Sequence, residues 1–224
     1  MIIVHHLNNS RSQRVLWLLE ELDLAYEIKR YQRDPKTMLA PPELRAVHPL
    51  GKSPVITDGA LTLAESGLII EYLGDRYSAG RLIAAPGTPE RLRHTYWLHY
   101  AEGSAMPLLL LKLVCRTVAT APAPFFVRPV AKGIAGKVQH RFVDPQLALH
   151  LNYMEGELGK AEWFGGDQFS VADIAMSFPL EAAAGRAGLE GRYPRLHAFL
   201  QKIHARPAYQ RAIERGGEYG PLSG

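Results

Sequence analysis

Serines stand at three points of this chain where a hydroxyl can do more than face solvent. Ser10 and Ser12 follow the turn-forming pair Asn8-Asn9, between an apolar run from Ile2 to Leu7 and a stretch of helical periodicity. A hydroxyl so placed can cap the helix, or it can donate a hydrogen bond that favours a neighbouring anion. Glu65-Ser66 precedes a second apolar helical face (Leu68, Ile69, Tyr72, Leu73), with Ser66 expected to cap its start. Ser170 is followed three residues later by Asp173, the spacing of a capping box, and Phe169 and Ile174 can staple the helix that follows. This third group reads as structural.

Other reactive residue types carry less. His5 and His6 are adjacent in what reads as a strand, so they point to opposite faces and make no metal pair. The single cysteine, Cys115, excludes an intramolecular disulfide, a CxxC redox pair and a cysteine-rich zinc site, and reads as a small buried helix residue. It fits a reducing compartment, and with no leader-like N-terminus and no run approaching the length of a membrane span the expectation is a cytoplasmic protein without a span. The formal charge of +4 is uneven, with no acidic residue between Gly103 and Val143, where Lys112, Arg116, Arg128, Lys132, Lys137 and Arg141 lie. That stretch reads as a solvated basic face or a rim attracting a small anion; no nucleic-acid motif accompanies it. With 47% hydrophobic and 21% charged residues in a chain of 224, a sizeable core is expected.

The elements that must position these residues fall into two groups. Ile2–Leu7 reads as a buried strand, Val15, Leu16, Leu18, Leu19 and Leu22 as a helical stripe with Arg14, Glu20, Glu21 and Asp23 on its other faces, and Tyr26–Tyr31 as a second strand, which together make a parallel βαβ unit. A short helix at Pro42–Ala46 and a hairpin turning at Asp58-Gly59 follow, and a helix from Ser66 to Tyr77 completes a βαβ-α-ββα unit. After the Gly-, Ala- and Pro-rich segment from Ala79 to Pro89, everything reads as helical. A helix from Thr88 to Val118 is expected to break or kink near Pro107 and to end at the Ala121-Pro-Ala-Pro124 run. Separate helices are expected over Phe125–Arg141, Pro145–Lys160, Val171–Ala187, Tyr193–Ala205 and Pro207–Arg215.

This arrangement resembles the cytosolic glutathione transferases over essentially the whole chain. The resemblance rests on Ser10 ahead of the first helix, His48-Pro-Leu-Gly-Lys-Ser-Pro54, Leu63-Ala-Glu-Ser-Gly67 and Ser170-Val-Ala-Asp173, in that order and spacing. Pro41-Pro-Glu-Leu44, Glu102-Gly-Ser104 and Met176-Ser-Phe-Pro-Leu180 are similar to the fungal and bacterial subgroup that includes the yeast microsome-associated transferase. The resemblance implies an α/β thioredoxin-like N-terminal domain with a mixed four-stranded sheet (residues 1–78), a linker (79–89) and an all-helical domain forming the second substrate's site (90–224). It also implies glutathione as co-substrate, no metal, and a homodimer.

It further implies roles for individual residues. Glu65 would meet the ammonium of the γ-glutamyl group, with Ser66 and the helix N-terminus on the neighbouring carboxylate. Ser53, before a cis Pro54, would present its backbone to the cysteinyl part, although the family more often has a branched apolar residue there. Lys52, with His48 as a lesser candidate, would meet the glycine carboxylate. Ser10 would donate a hydrogen bond to the thiol and favour thiolate, with Asn9, Arg11 and Ser12 as alternates; the tyrosine or cysteine that other classes use is absent here. Tyr96, Tyr100, Met106 and Leu110 are candidates for the pocket of the second substrate. The expected activity is conjugation of glutathione to small hydrophobic electrophiles, with a possible peroxidase activity; the alternative is a non-catalytic interaction module of the same fold.

Overall fold

Four strands form one mixed sheet in the order β2-β1-β3-β4, in a computed structural model that describes residues 1–187, 189, 191–217 and 219–220. β1 (Ile2–Leu7) and β2 (Tyr26–Tyr31) pair in parallel, with helix α1 (Ser12–Glu21) as the crossover that parallel strands require. A 3-10 turn spans Pro42–Ala46, where Pro42 suits a first helical position. β3 (Val55–Asp58) and β4 (Leu61–Ala64) form an antiparallel hairpin whose turn holds Gly59 at φ 60°. Helix α2 (Ser66–Tyr77) follows, giving the expected βαβ-α-ββα order.

The remaining elements are α3 (Pro89–Tyr100), α4 (Met106–Thr120), α5 (Arg128–Val138), α6 (Asp144–Glu157), α7 (Val171–Ala187), α8 (Pro194–His204) and α9 (Pro207–Gly216). Two junctions among them are widened turns, the first at the break or kink expected near Pro107 and the second where two separate helices are expected. π-turns at Ala101–Ala105 and Gln139–Val143 join α3 to α4 and α5 to α6, so the separate helices expected over Phe125–Arg141 and Pro145–Lys160 form one run from Arg128. Each turn closes with an N–H reaching five residues back, Met106 to Ala101 and Asp144 to Gln139. In both cases the next residue is a proline, Pro107 or Pro145. A proline in a helix lacks the N–H and its ring crowds the carbonyl four residues earlier; a widened turn just before it absorbs both without ending the helix.

That continuity also corrects the expectation about span length. α3, its π-turn and α4 make a 32-residue run that is long and apolar enough, by length and composition, to cross a membrane. Here the run packs against α7, and α5 covers α4, so it serves as the spine of the helical bundle.

α1 does not present its polar face to water. α7 and α9 pack on it, and Trp17 lies between the rings of Phe169 and Tyr209 at 5.6 and 5.2 Å. Arg14 is 1% exposed and Glu20 9%. Both charges have partners, as burial demands: Arg14 Nη1 donates to the Ala175 carbonyl at 2.8 Å, although its Nε has no partner among the described residues, and Glu20 accepts from Tyr26, Arg211 and Arg215. The helix that carries the Ser10 loop is thereby clamped between the sheet and the helical bundle.

The capping box holds the entry to α7. The Asp173 carboxylate accepts the Phe164 N–H at 2.7 Å, the Ser170 N–H at 2.9 Å and the Ser170 hydroxyl at 3.1 Å, while Ser170 Oγ accepts the Ala172 N–H. Burial raises the Asp173 pKa to about 7 against the pull of those donors. Phe169 packs on the core that contains Ile174.

Candidate glutathione site

The strand register gathers the candidate residues. His5 pairs with Val55 and Val55 with Ala64, so one row of the sheet joins the C-terminal end of β1, the start of β3 and the end of β4. Loop 8–11, the Ser53-Pro54 peptide and the Glu65-Ser66 step all leave the sheet at that end, where α1 and α2 also begin. Two helix N-termini at one place favour negative charge.

Within the first loop, Asn9 has φ 48° and turns the chain into α1. Ser10 is 4% exposed; its Oγ accepts the Ser12 N–H at 3.2 Å and lies 2.7 Å from Ser12 Oγ. Ser12 Oγ is in turn 2.8 Å from His6 Nδ1. Burial, and then the Arg30 charge, lower the His6 pKa to about 4, so the ring is neutral at physiological pH. The alternates to Ser10 have other engagements. Asn9 Oδ1 accepts the Gly220 N–H at 2.6 Å, and Arg11 pairs with Glu102 at 3.2 Å.

The peptide between Ser53 and Pro54 is cis. Ser53 Oγ donates to the His5 carbonyl at 3.0 Å and accepts the Leu7 N–H at 3.3 Å, adding a side-chain rung to the β1–β3 ladder. A branched apolar residue cannot make that rung. Glu65, not Ser66, is the residue before α2; it has φ 73° and ψ 122°, is exposed, and no side chain caps the helix. The expected Ser66 cap is therefore corrected: Ser66 is the first helical residue, buried, and the first-turn N–H groups have no side-chain acceptor. A non-glycine residue at positive φ costs about 1–3 kcal/mol, strain of a kind that clusters at functional sites.

Lys52 is exposed and His48 half-buried. The His48 carbonyl accepts the Gly51 N–H at 2.8 Å, in a turn that sets Gly51 at φ 57°, and His48 Nδ1 is buried without a partner among the described residues.

The four candidates for the second substrate's pocket divide. Tyr100 and Met106 are 7% and 5% exposed and belong to the core, Tyr100 bonding His150 Nδ1 at 2.6 Å. Tyr96 and Leu110 are exposed, and the Tyr96 ring stacks on Tyr100. A cavity of about 580 Å³ is lined by residues of segment 80–94 and of 161–170 and includes none of the candidate glutathione residues. Among the described residues no cluster of three metal-ligating side chains occurs.

Sequence reasoning missed three residues of this neighbourhood. His6, expected as a packing or surface histidine and not as a metal ligand, anchors Ser12. Arg14 and Glu102 were read as an outer-face charge and part of a motif; Arg14 Nη2 meets Glu102 at 2.5 Å, and Arg11 meets the other oxygen. Burial would raise the Glu102 pKa, but the two guanidinium groups hold it below the ordinary carboxylate value. Two arginines three residues apart, Arg11 just before α1 and Arg14 within it, were the available signal.

Comparison with known proteins gives the class to which this sheet end, with its cis-proline edge and two helix N-termini, belongs. Residues 10–76 match the family model "Glutathione S-transferase, N-terminal domain" and residues 136–207 match "Glutathione S-transferase, C-terminal domain". The chain is 33% identical to Glutathione S-transferase 3 of Schizosaccharomyces pombe, over 96% of this chain and 88% of that one. It is likewise 33% identical to Glutathione S-transferase 1 of Saccharomyces cerevisiae, over 98% and 97%. A solved glutathione S-transferase from Actinobacillus pleuropneumoniae superposes with a TM-score of 0.77 at 34% identity, covering 100% of this chain and 95% of the other.

The chain belongs to the glutathione S-transferase family. Its N-terminal unit is the thioredoxin-like domain of that fold, its C-terminal unit the all-helical one, and its activity is that of a glutathione transferase.

Proposed function

We propose that this transferase is of the serine type, with Ser10 donating the hydrogen bond that favours glutathione thiolate. The observation that carries the reading is the convergence of Ser10, the Ser53-Pro54 cis peptide and Glu65-Ser66 at one end of the sheet. A free thiol with a pKa of about 8.5 is mostly protonated near neutrality. A hydroxyl donor beside a helix N-terminus lowers that value by favouring the charged form. Ser10 has one hydrogen-bonding direction left after Ser12, while Asn9 holds the Gly220 N–H through its Oδ1 and Arg11 pairs with Glu102 through Nη1.

In this reading Glu65 takes the γ-glutamyl ammonium, and the uncapped start of α2 with Ser66 takes its carboxylate. Ser53 and Pro54 align the cysteinyl backbone, and Lys52, with His48 beside it, meets the glycine carboxylate. The second substrate is a small hydrophobic electrophile or a peroxide, approaching over Tyr96 and Leu110 from the helical side. Residues 1–78 form the glutathione-binding domain, 79–89 the linker and 90–224 the electrophile domain, of which 221–224 lie outside the described residues. A cytoplasmic homodimer fits the exposed apolar residues Leu61, Leu68 and Leu92 on β4, α2 and α3.

The test is glutathione binding and turnover, with an aryl halide and with an organic hydroperoxide, in wild type and Ser10→Ala. Loss of a charge-assisted hydrogen bond of about 1.5–3 kcal/mol should lower kcat/KM roughly ten- to a hundredfold. It should also raise the apparent thiol pKa by at least one unit, with glutathione affinity little changed. Full turnover by Ser10→Ala would remove the assignment.

A further inference from the structure

Behind Ser10 lies a feature that thiol activation by a single hydroxyl does not require. Three groups on β1 and the start of α1 form a buried file: Ser10 Oγ, Ser12 Oγ at 2.7 Å and His6 Nδ1 at a further 2.8 Å. The other ring nitrogen, His6 Nε2, is buried; the Gly216 backbone reaches the ring, but no hydrogen bond of ordinary geometry closes on Nε2 among the described residues. His6 also lines a cavity of about 110 Å³, together with Asn8, Arg30, Tyr31, Gln32, Gly216 and Gly217. Gln32 and Gly217 are exposed, so this cavity reaches the surface. It has room for several waters, given the roughly 10–15 Å³ that one water centre needs.

We infer that Ser10, Ser12 and His6 form a proton wire that carries the glutathione thiol proton through the protein to water in the cavity lined by His6 and Arg30. The inference rests on the Ser10 reading above. The thiol S–H bond breaks as its proton passes to Ser10 Oγ; Ser10 gives its own proton to Ser12 Oγ, Ser12 gives its own to His6 Nδ1, and the Nε2 proton leaves to water. One proton enters and one leaves, each hydroxyl keeps one, and the imidazole changes tautomer without acquiring charge.

The end state has the polarity that thiolate needs. Nδ1–H then points at Ser12, the Ser12 hydroxyl at Ser10, and the Ser10 hydroxyl at sulfur, while Ser10 Oγ still accepts the Ser12 N–H. A neutral ring suits this role, because it can gain a proton at one nitrogen as it loses one at the other. Arg30 faces the ring from β2 and opposes its protonation, and the Gly216 backbone is the polar group that reaches it from the end of α9. The competing acceptor for Ser12, the Leu7 carbonyl, is farther, at 3.4 Å.

The test times proton release. Protein and glutathione are mixed by stopped flow near pH 7 in weak buffer with a pH indicator, and bound thiolate is read separately by ultraviolet absorbance. His6→Phe and Ser12→Ala should bind glutathione within twofold of wild-type affinity yet release the proton at least tenfold more slowly. A residue that merely shaped the loop would change affinity instead. Ser12→Ala removes one oxygen and keeps the backbone bonds, so it decides the matter should His6→Phe not fold. A wild-type release rate in Ser12→Ala overturns the wire. Ser10→Ala separates the two ideas: if bound thiolate is unaffected by it, the Ser10 assignment itself fails. If thiolate falls in Ser10→Ala while Ser12→Ala releases at the normal rate, the wire alone fails.

Discussion

Glu102→Gln tests how the helical domain holds the Ser10 loop. The Arg14 side chain is 1% exposed and that of Glu102 25%, with 2.5 Å between them, and Arg11 adds a second contact at 3.2 Å. Removing one member of a fully buried pair costs about 3–5 kcal/mol, because the other charge is left without compensation. Glu102 keeps a quarter of its exposure, and Arg14 retains the Ala175 carbonyl. The expected loss at pH 7 is therefore about 2–3 kcal/mol. Urea unfolding should show this as a lower midpoint at unchanged slope, and a thermal melt as a drop of about 5–10 °C. The sign of the pH dependence follows from the lowered Glu102 pKa: its contribution is complete above the ordinary carboxylate value of 4.5 and is lost as pH falls through the folded value. The gap between wild type and variant should thus be constant from pH 6 to 8 and narrow only in acid. A loss below about 0.5 kcal/mol, or a gap that stays constant as Glu102 protonates, would refute the clamp.

Two further substitutions probe strain and packing. Glu65→Gly should leave thermal stability equal or slightly higher, since glycine accepts φ 73° freely, while KM for glutathione rises about tenfold or more as the ammonium's partner is lost; an unchanged KM would remove Glu65 from the site. Gly165→Ala places a Cβ 2.0 Å from Ser170 Oγ and 2.9 Å from its Cβ. Displacing the Ser170 cap should cost about 2–4 kcal/mol in urea unfolding, and a loss under 1 kcal/mol would show that the capping box tolerates a shift.

Much of the fold was legible because its signals are local. Strand alternation from Tyr26, the Asp58-Gly59 turn and the proline that opens the 3-10 turn each act within a few residues, and the elements fall where they predict. The two π-turns were not legible as such. A proline inside a helical pattern announces strain, but whether the helix ends or widens depends on packing: α3 and α4 stay one run because α7 supports both. α1 failed in the opposite sense. Its charged positions look like a solvated face, and only the return of α9 with Arg211 and Arg215 turns Glu20 into a buried acceptor.

The same division explains the site. Its candidate members stand out in the sequence as motifs, and a register of short strands brings motifs at the strand ends together whatever the intervening loops do. What motifs do not contain is how much hydrogen-bonding capacity each side chain has left. In sequence, Asn9, Ser10, Arg11 and Ser12 are four comparable donors. In the folded chain Asn9 serves the C-terminal segment at Gly220, Arg11 serves Glu102, and Ser12 stands between Ser10 and His6. Ser10 is thus singled out by what its neighbours are already doing, and Ser12 and His6, in file behind it, belong to the same question.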